Sequence, residues 1–384
     1  MLQSEVTLLA ITIALVEFVH GALLFVLLPT MLTQRFGWAM GTTGAAVSTY
    51  FFTEVALKLL AGWMVDRLGT RRLLLGGFWL YLAAYAGLIF SRATWQVFVM
   101  LAIMGAGASP LWPAALTRLT RETADGVGGL LGRLFSTWFL GGGMGIALAT
   151  LISRASHPVS LAVFLLPLLG ASVLGFGIPP ETPVRTLPRA PATRKLIALM
   201  LRALATLATS LVPQIIAAGV LIPIVVPYLQ DIRGLDERHL FLLLLLGPGV
   251  ALGLMEQAGR MGDRLGRRRT YTIGLGAVAL LLIALPLCRS MWALVVDVVG
   301  IGVGYAFVLP AWNSILLRLL PADVRGAGLG VAMTIEGMGG IIGPLVGGLL
   351  WQWSNPSSPF YLSGGLLLLA AGASTQWRGR AVEG

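Results

Sequence analysis

Charged side chains are scarce in this chain, making up 11% of its 384 residues, whereas a soluble domain carries about 25%. That shortage excludes an ordinary water-soluble fold. Cysteine is nearly absent: Cys288 stands alone, so no intrachain disulfide can form. Histidine is confined to His20, His157 and His239. Three scattered imidazoles lack the spacing of a metal centre and do not form a catalytic cluster at a membrane face. A membrane enzyme such as a glycosyl or acyl transferase is therefore disfavoured, and no metal or cofactor is expected. Long polar stretches are missing too. Only Ile178 to Lys195 qualifies, and its prolines and basic residues read as a semi-extended linker.

Apolar residues fill what remains, at 57% of the chain. A bilayer crossing takes about 20 apolar residues, and twelve such segments can be marked: 6–30, 41–64, 73–91, 94–117, 131–153, 158–178, 197–229, 238–259, 271–288, 291–317, 327–352 and 359–377. Backbone groups in hydrocarbon must be satisfied within the structure, which restricts spans to helices or closed barrels. Continuous apolar runs exclude the alternating pattern of barrel strands. The expected fold is an all-α membrane protein. Its first span is too long, and lacks the cleavage pattern, to read as a signal peptide.

The run GWMVDRLGTRR, Gly62 to Arg72, returns as GRMGDRLGRRR, Gly259 to Arg269, after a shift of 197 residues. The same shift carries Gly105 onto Gly302, Pro113 onto Pro310 and Arg121 onto Arg318. A repeat this long indicates two duplicated domains, unlike the short period of a solenoid. In so apolar a chain it predicts two pseudo-symmetric six-helix halves, the architecture of a secondary transporter. The expected division is 1–178 for the first half, 179–195 for a linker and 196–384 for the second half.

Basic residues are distributed unevenly. Of 27 Lys plus Arg, twenty fall on the side of the 62–72 loop, six on the other, and Lys58 lies inside a span. By the positive-inside rule this places both termini and the linker in the cytoplasm of a multi-pass protein of the cell membrane. The net charge of +11 then faces anionic lipid, and nucleic-acid binding is not expected.

Ionisable residues within spans are costly and are functional candidates by default. Glu17 and His20 lie one turn apart on the first span and share a face. A carboxylate shielded from water beside an imidazole can exchange protons near neutral pH. Glu54 and Lys58 are spaced i, i+4 on the second span, where a structural ion pair is an equal reading. Glu336 lies about ten residues into the eleventh span. Asp297 is ambiguous, Glu256 reads as structural, and His157 and His239 read as loop residues without evident partners. The halves differ in polarity: Glu17 shifts onto Gln214 and Glu54 onto Ala251. A cavity facing such halves would suit a molecule with a polar head and a greasy tail.

The two loop motifs, each following the second span of its half, resemble that of the major facilitator superfamily, as do the span count and repeat offset. The resemblance implies that Gly62, Asp66, Arg67, Gly69, Arg71 and Arg72, with Gly259, Asp263, Arg264, Gly266, Arg268 and Arg269, latch the outward-open state and do not touch substrate. The sequence reads each Asp as lying just past a helix end, with a glycine giving a tight turn.

VEFVHG (16–21), GASPLWPA (107–114), FSTWFLGGGMG (135–145), GYAFVLPAWNS (304–314) and GMGGIIGPLVGGL (337–349) further resemble the flippases that move the glycolipid anchor of lipoteichoic acid. This resemblance implies proton-coupled movement of a diglucosyl diacylglycerol from inner to outer leaflet. It implies proton coupling at Glu17 and Glu54, with His20 beside them, and headgroup contacts at Trp112, Trp138 and Asn313. Lys58 and Glu336 complete the expected substrate-binding set. The partners expected are an amphiphilic lipid or small molecule, protons and membrane lipids, with the protein acting as a monomer. Where these flippases carry arginine this chain has His20, and where they carry aspartate it has Glu54. An exporter of hydrophobic drugs or small solutes on the same fold is the alternative. The fifth span, FSTWFLGGGMGIALATLIS, lacks the Gly-Pro pair usual in drug–proton antiporters, while Gly343-Pro344 lies in the eleventh.

Overall fold

The computed structural model describes residues 2–122, 127–153, 157–179, 194–319 and 325–377, and the regular structure among them is entirely helical. We number the spans α1 to α12. They begin with α1 (Leu2–Gly21, carried on by π-helical and α-helical turns to Arg35), α2 (Met40–Leu68), α3 (Thr70–Phe90) and α4 (Thr94–Ala108, resuming as Leu111–Glu122). Next come α5 (Val127–Thr150), α6 (His157–Val163 with Leu165–Phe176), α7 (Arg194–Leu221, resuming as Val225–Pro227 and Tyr228–Ile232) and α8 (Glu237–Leu265). The chain continues with α9 (Arg267–Ala284), α10 (Met291–Leu319), α11 (Arg325–Trp353) and α12 (Ser358–Ser374). Among the described residues eight helices are long and apolar enough to cross a membrane, and the bent pair Leu207–Leu221 with Val225–Ile232 makes a ninth. That pair turns by 50° around Pro223, whose ring removes a backbone donor and crowds the preceding turn.

The duplication read in the sequence is written into the backbone. Among the described residues four glycines have positive φ, Gly37 (63°), Gly69 (83°), Gly234 (66°) and Gly266 (90°), and they form two pairs related by the 197-residue shift. The π-helical turns Met31–Arg35 and Tyr228–Ile232 are related by the same shift. So are their closing bonds: Phe36 N–H to Met31 O matches Arg233 N–H to Tyr228 O, and Trp38 N–H to Leu32 O matches Leu235 N–H to Leu229 O. Two sequences that have diverged at most side chains keep the same local distortions.

Each loop motif is tighter than the sequence suggests. Asp66 lies inside α2 and Asp263 inside α8, not past a helix end, and their side chains are outside the described ones. The turn is a single residue, Gly69 or Gly266, and helix resumes at once on the other side. Only glycine takes these φ values without a steric penalty. A second correction concerns the histidines. His157 opens α6, while His239 lies in the first turn of α8 and meets the exposed Asp236, its Nδ1 2.5 Å from Oδ1. The backbone N–H of His239 also donates to that carboxylate and is the main reason it is held below the usual carboxylate range. Asp236 thus caps the orphan donors of α8.

The chain divides into two compact units, Met1–Arg185 with Ile222–Phe241 and Pro344–Gln352, and Thr186–Leu221 with Leu242–Gly343 and Trp353–Gly384. The first unit is built by α1 on α5 and α6, and by α3 and α2 on α4. Helices in lipid gain little from hydrophobic burial against one another and associate through close packing of small residues. Accordingly Gly21 faces the backbone of Gly142, and Gly145 faces that of Phe18. Within the same unit the start of α2 packs against the end of α11. The Gly41 N–H donates to Gln352 Oε1 at 3.3 Å, and the Leu345 N–H to Ser48 Oγ at 3.1 Å. In the second unit α9 packs on α10 and α12, and α7 on α12, around a core that includes Tyr271, Leu275, Val278, Trp312 and Leu367.

Candidate functional site

Two glycine contacts fix the helices that carry the membrane acids. The α5 glycines bring that helix against α1 at Ala14 and Gly21, on either side of the Glu17–His20 turn, and at Phe18 within it. On the other side, Gly105 of α4 lies where its Cβ would stand 3.0 Å from the Glu54 backbone nitrogen, so α2 is seated on α4 at that acid. Helical periodicity then places the partners. His20 Nδ1 is 3.1 Å from Glu17 Oε2, and Lys58 Nζ is 2.8 Å from Glu54 Oε1. Both acids are buried, at 5% and 7% exposure. Buried charges persist only when paired and hydrogen-bonded, and each carboxylate here has a cation-forming neighbour one turn along its own helix.

These pairs belong to one cluster. His20 lies within electrostatic reach of Glu54 and Lys58 as well as Glu17. Its ring stands 5.0 Å from that of Tyr50 and 5.7 Å from that of Phe51. Tyr50 in turn meets Tyr81 edge to face at 6.4 Å. The sequence reading missed both phenols. Tyr50 had a signal, since it sits one turn before Glu54 on the same face of α2. Tyr81 had none, because only packing brings α3 to the site.

Trp112 and Trp138, expected at the headgroup, lie in the first unit with their rings 6.3 Å apart at 74°. Trp138 keeps 38% exposure, so the pair presents an aromatic edge. Asn313 on α10 and Glu336 on α11 are half-buried residues of the second unit. That unit holds a fixed polar network where the first holds titratable groups. Gln214, the counterpart of Glu17, accepts a 2.5 Å bond from the Tyr271 hydroxyl, which also meets Ser210 Oγ at 3.0 Å. Asp297 of α10 is buried, and its Oδ2 finds no hydrogen-bond partner among the described residues. Glu256 is exposed and pairs with Arg260 at 2.9 Å.

Among the motif residues, Arg71 donates to the Phe176 carbonyl at 2.8 Å and Arg268 to the Trp377 carbonyl at 2.5 Å. Each arginine, related to the other by the repeat, thus binds one carbonyl at or just past its own half's last helix: Phe176 ends α6, where a cation is favoured, and Trp377 lies three residues beyond α12. Arg67 lies over the Trp63 ring at 4.0 Å. Arg72, Arg264 and Arg269 are exposed, and Gly62 and Gly259 are half-buried. Among the described residues no group of three or more His, Cys, Asp or Glu could hold a metal ion.

Duplicated six-helix halves, apolar helices, single-glycine turns and a buried acid cluster define a helical membrane carrier. The chain belongs to the Major Facilitator Superfamily, whose family model matches residues 9–257 and 257–381. It is a multi-pass membrane transporter. It is 26% identical over 377 residues to the proton-coupled antiporter flippase LtaA of Staphylococcus aureus, covering 95% of this chain and 92% of that one. Its fold matches a D-xylose-proton symporter with a TM-score of 0.80 at 14% identity, over 98% of both chains. It also matches the nucleoside transporter NupG with a TM-score of 0.78 at 14% identity, over 97% of this chain and 99% of that one.

Proposed function

We propose that this transporter flips a glycolipid of the diglucosyl diacylglycerol type from the inner to the outer leaflet, in exchange for protons, by alternating access. The Glu17–His20 pair carries the proposal. It is a buried carboxylate held by an imidazole, a side chain able to take up and release a proton, and a fixed arginine would lack that property. Glu54 is the second acid of the coupling site, with its charge matched by Lys58. The Trp112–Trp138 edge and Asn313 receive the sugar headgroup, since aromatic faces combined with polar groups suit a sugar. The apolar runs of α7 and α8 accept the acyl chains. Glu336 is assigned to the substrate path as an ionisable residue within a span. The asymmetry of basic residues supports a cytoplasmic position for the termini and loop motifs, where Asp66 and Asp263 with their arginines latch one transport state.

The test is flipping of a fluorescent diglucosyl diacylglycerol in proteoliposomes under an imposed pH gradient. Glu17→Gln should remove the acceleration by the gradient while leaving slow exchange. Acceleration that persists in Glu17→Gln and disappears in Glu54→Gln moves the coupling role to Glu54. Gradient-driven transport of small hydrophobic dyes without any glycolipid movement overturns the lipid reading.

A further inference from the structure

The Tyr81 hydroxyl is an anomaly. The residue is 2% exposed, and its oxygen has no hydrogen-bond partner among the described residues. A buried hydroxyl left unsatisfied loses its hydration without compensation, and a phenylalanine would fit the same ring without that cost. Tyr85, one turn further along α3, behaves as a structural phenol should: its hydroxyl donates to the Leu161 carbonyl at 3.1 Å. Tyr81 borders a small cavity lined by Val16, Gly107, Leu111, Leu168 and Ser172 among others. Val16 precedes Glu17 on α1, and Tyr81 is the side chain that this space shares with the acid cluster.

The groups around Glu17 come from three helices. On α1 there is His20; on α2 there are Tyr50, Glu54 and Lys58; on α3 there are Tyr81 and Tyr85. The apolar stretches of α4 (Thr94–Ala108) and α6 (Leu165–Phe176) contain no titratable residue, and α5 contributes only Arg133 near its start. Among these, Tyr81 interacts electrostatically with both Glu17 and Glu54. Its hydroxyl proton has no acceptor among the described residues.

We propose that Tyr81 is a positioning residue of the proton site, donating its hydroxyl to the Glu17 carboxylate, directly or through one water in the adjoining cavity, whenever His20 releases it. This rests on the reading of Glu17 as the proton-carrying acid. The exchange of partners resolves the anomaly: the hydroxyl is idle while His20 holds Glu17 and is satisfied when the pair opens. It also gives the ionised acid a partner during the step in which its cation is lost, when an unpaired buried charge would otherwise block the cycle.

The experiment is an infrared pH titration of the purified protein in lipid nanodiscs, following the carboxylic-acid C=O band that disappears in Glu17→Gln. A donor favours the charged form of its acceptor, so Tyr81→Phe should move the midpoint of that band upward by about one pH unit. Tyr85→Phe should lower thermal stability and leave the midpoint in place, which separates positioning from structural loss. If Tyr81→Phe fails to fold, wild-type protein containing 3-fluorotyrosine, a stronger donor, should show the midpoint moving downward. A Glu17 band that titrates with an unchanged midpoint under either perturbation overturns the role of Tyr81 and leaves the proton reading standing. The absence of any titrating band lost in Glu17→Gln removes both.

Discussion

Gly44 of α2 carries no side chain where the backbone carbonyl of Pro344 of α11 passes, and a Cβ there would collide with that oxygen. Gly348 makes the reciprocal approach to the Met40 carbonyl, and the Gly41–Gln352 bond sits beside it. Backbone cannot retreat as a flexible side chain does, so bulk at position 44 must separate the two helices. Gly44→Val should therefore open this contact. In a Gly41→Cys, Gln352→Cys background, disulfide cross-linking should fall severalfold on adding Gly44→Val. Equal cross-linking in both backgrounds would show that the helices tolerate the side chain.

The motif arginines are predicted to act on stability and their aspartates on rate. Arg71 and Arg268 each hold the chain at or just past the last helix of their own half, and lysine cannot reproduce the reach of a guanidinium fork. Arg71→Lys and Arg268→Lys should each lower the unfolding midpoint by an amount reflecting about 0.5–1.5 kcal/mol. Their effects should add, because the sites share no partner. Asp66→Asn and Asp263→Asn should slow transport with ligand affinity changed by less than about tenfold, or 1.4 kcal/mol. Abolished binding at unaltered conformational balance would remove them from the latch.

The tryptophan pair offers a test of substrate class. Trp112→Ala and Trp138→Ala should each reduce glycolipid flipping in proteoliposomes, and Trp112→Ala should cost more, because Trp138 is the more exposed ring of the pair. A bulky polar residue introduced within 215–226 should impair flipping through the acyl-chain side. Normal flipping in all of these variants would rule out an amphiphilic cavity.

His20 decides the pH range. An arginine at this position keeps its charge at every working pH, whereas histidine loses it as pH rises through the imidazole range. Glu17 and His20 should therefore titrate as a coupled unit, without separate values. His20→Arg should retain transport and hold Glu17 paired at high pH, so the decline of transport with rising pH should move to higher pH. A profile superimposable on wild type would show that His20 does not carry charge during the cycle.

Local periodicity and composition made much of this protein legible without a structure. The apolar runs dictated helices because hydrocarbon leaves backbone groups no other partner. The 197-residue repeat predicted two related halves, and the paired φ values of Gly37 with Gly234 and Gly69 with Gly266 carry that repeat into the backbone. Glu17 with His20, and Glu54 with Lys58, could be paired from spacing alone because both contacts close within one helical turn. The placement of Asp66 and Asp263 misled the sequence reading because a helix can run up to a single-residue turn, and composition does not mark its last residue.

Contacts between distant segments were decided by tertiary structure alone. Tyr81 comes to the acid cluster because α3 packs on Gly107 of α4 while α2 packs on Gly105 two residues away. Arg71 finds a carbonyl 105 residues away, and Trp112 meets Trp138 across two helices. Helix packing in lipid depends on where small residues let backbones approach, and that is a property of pairs of surfaces. A span read alone shows which groups it can offer; only its neighbours determine which of them are used.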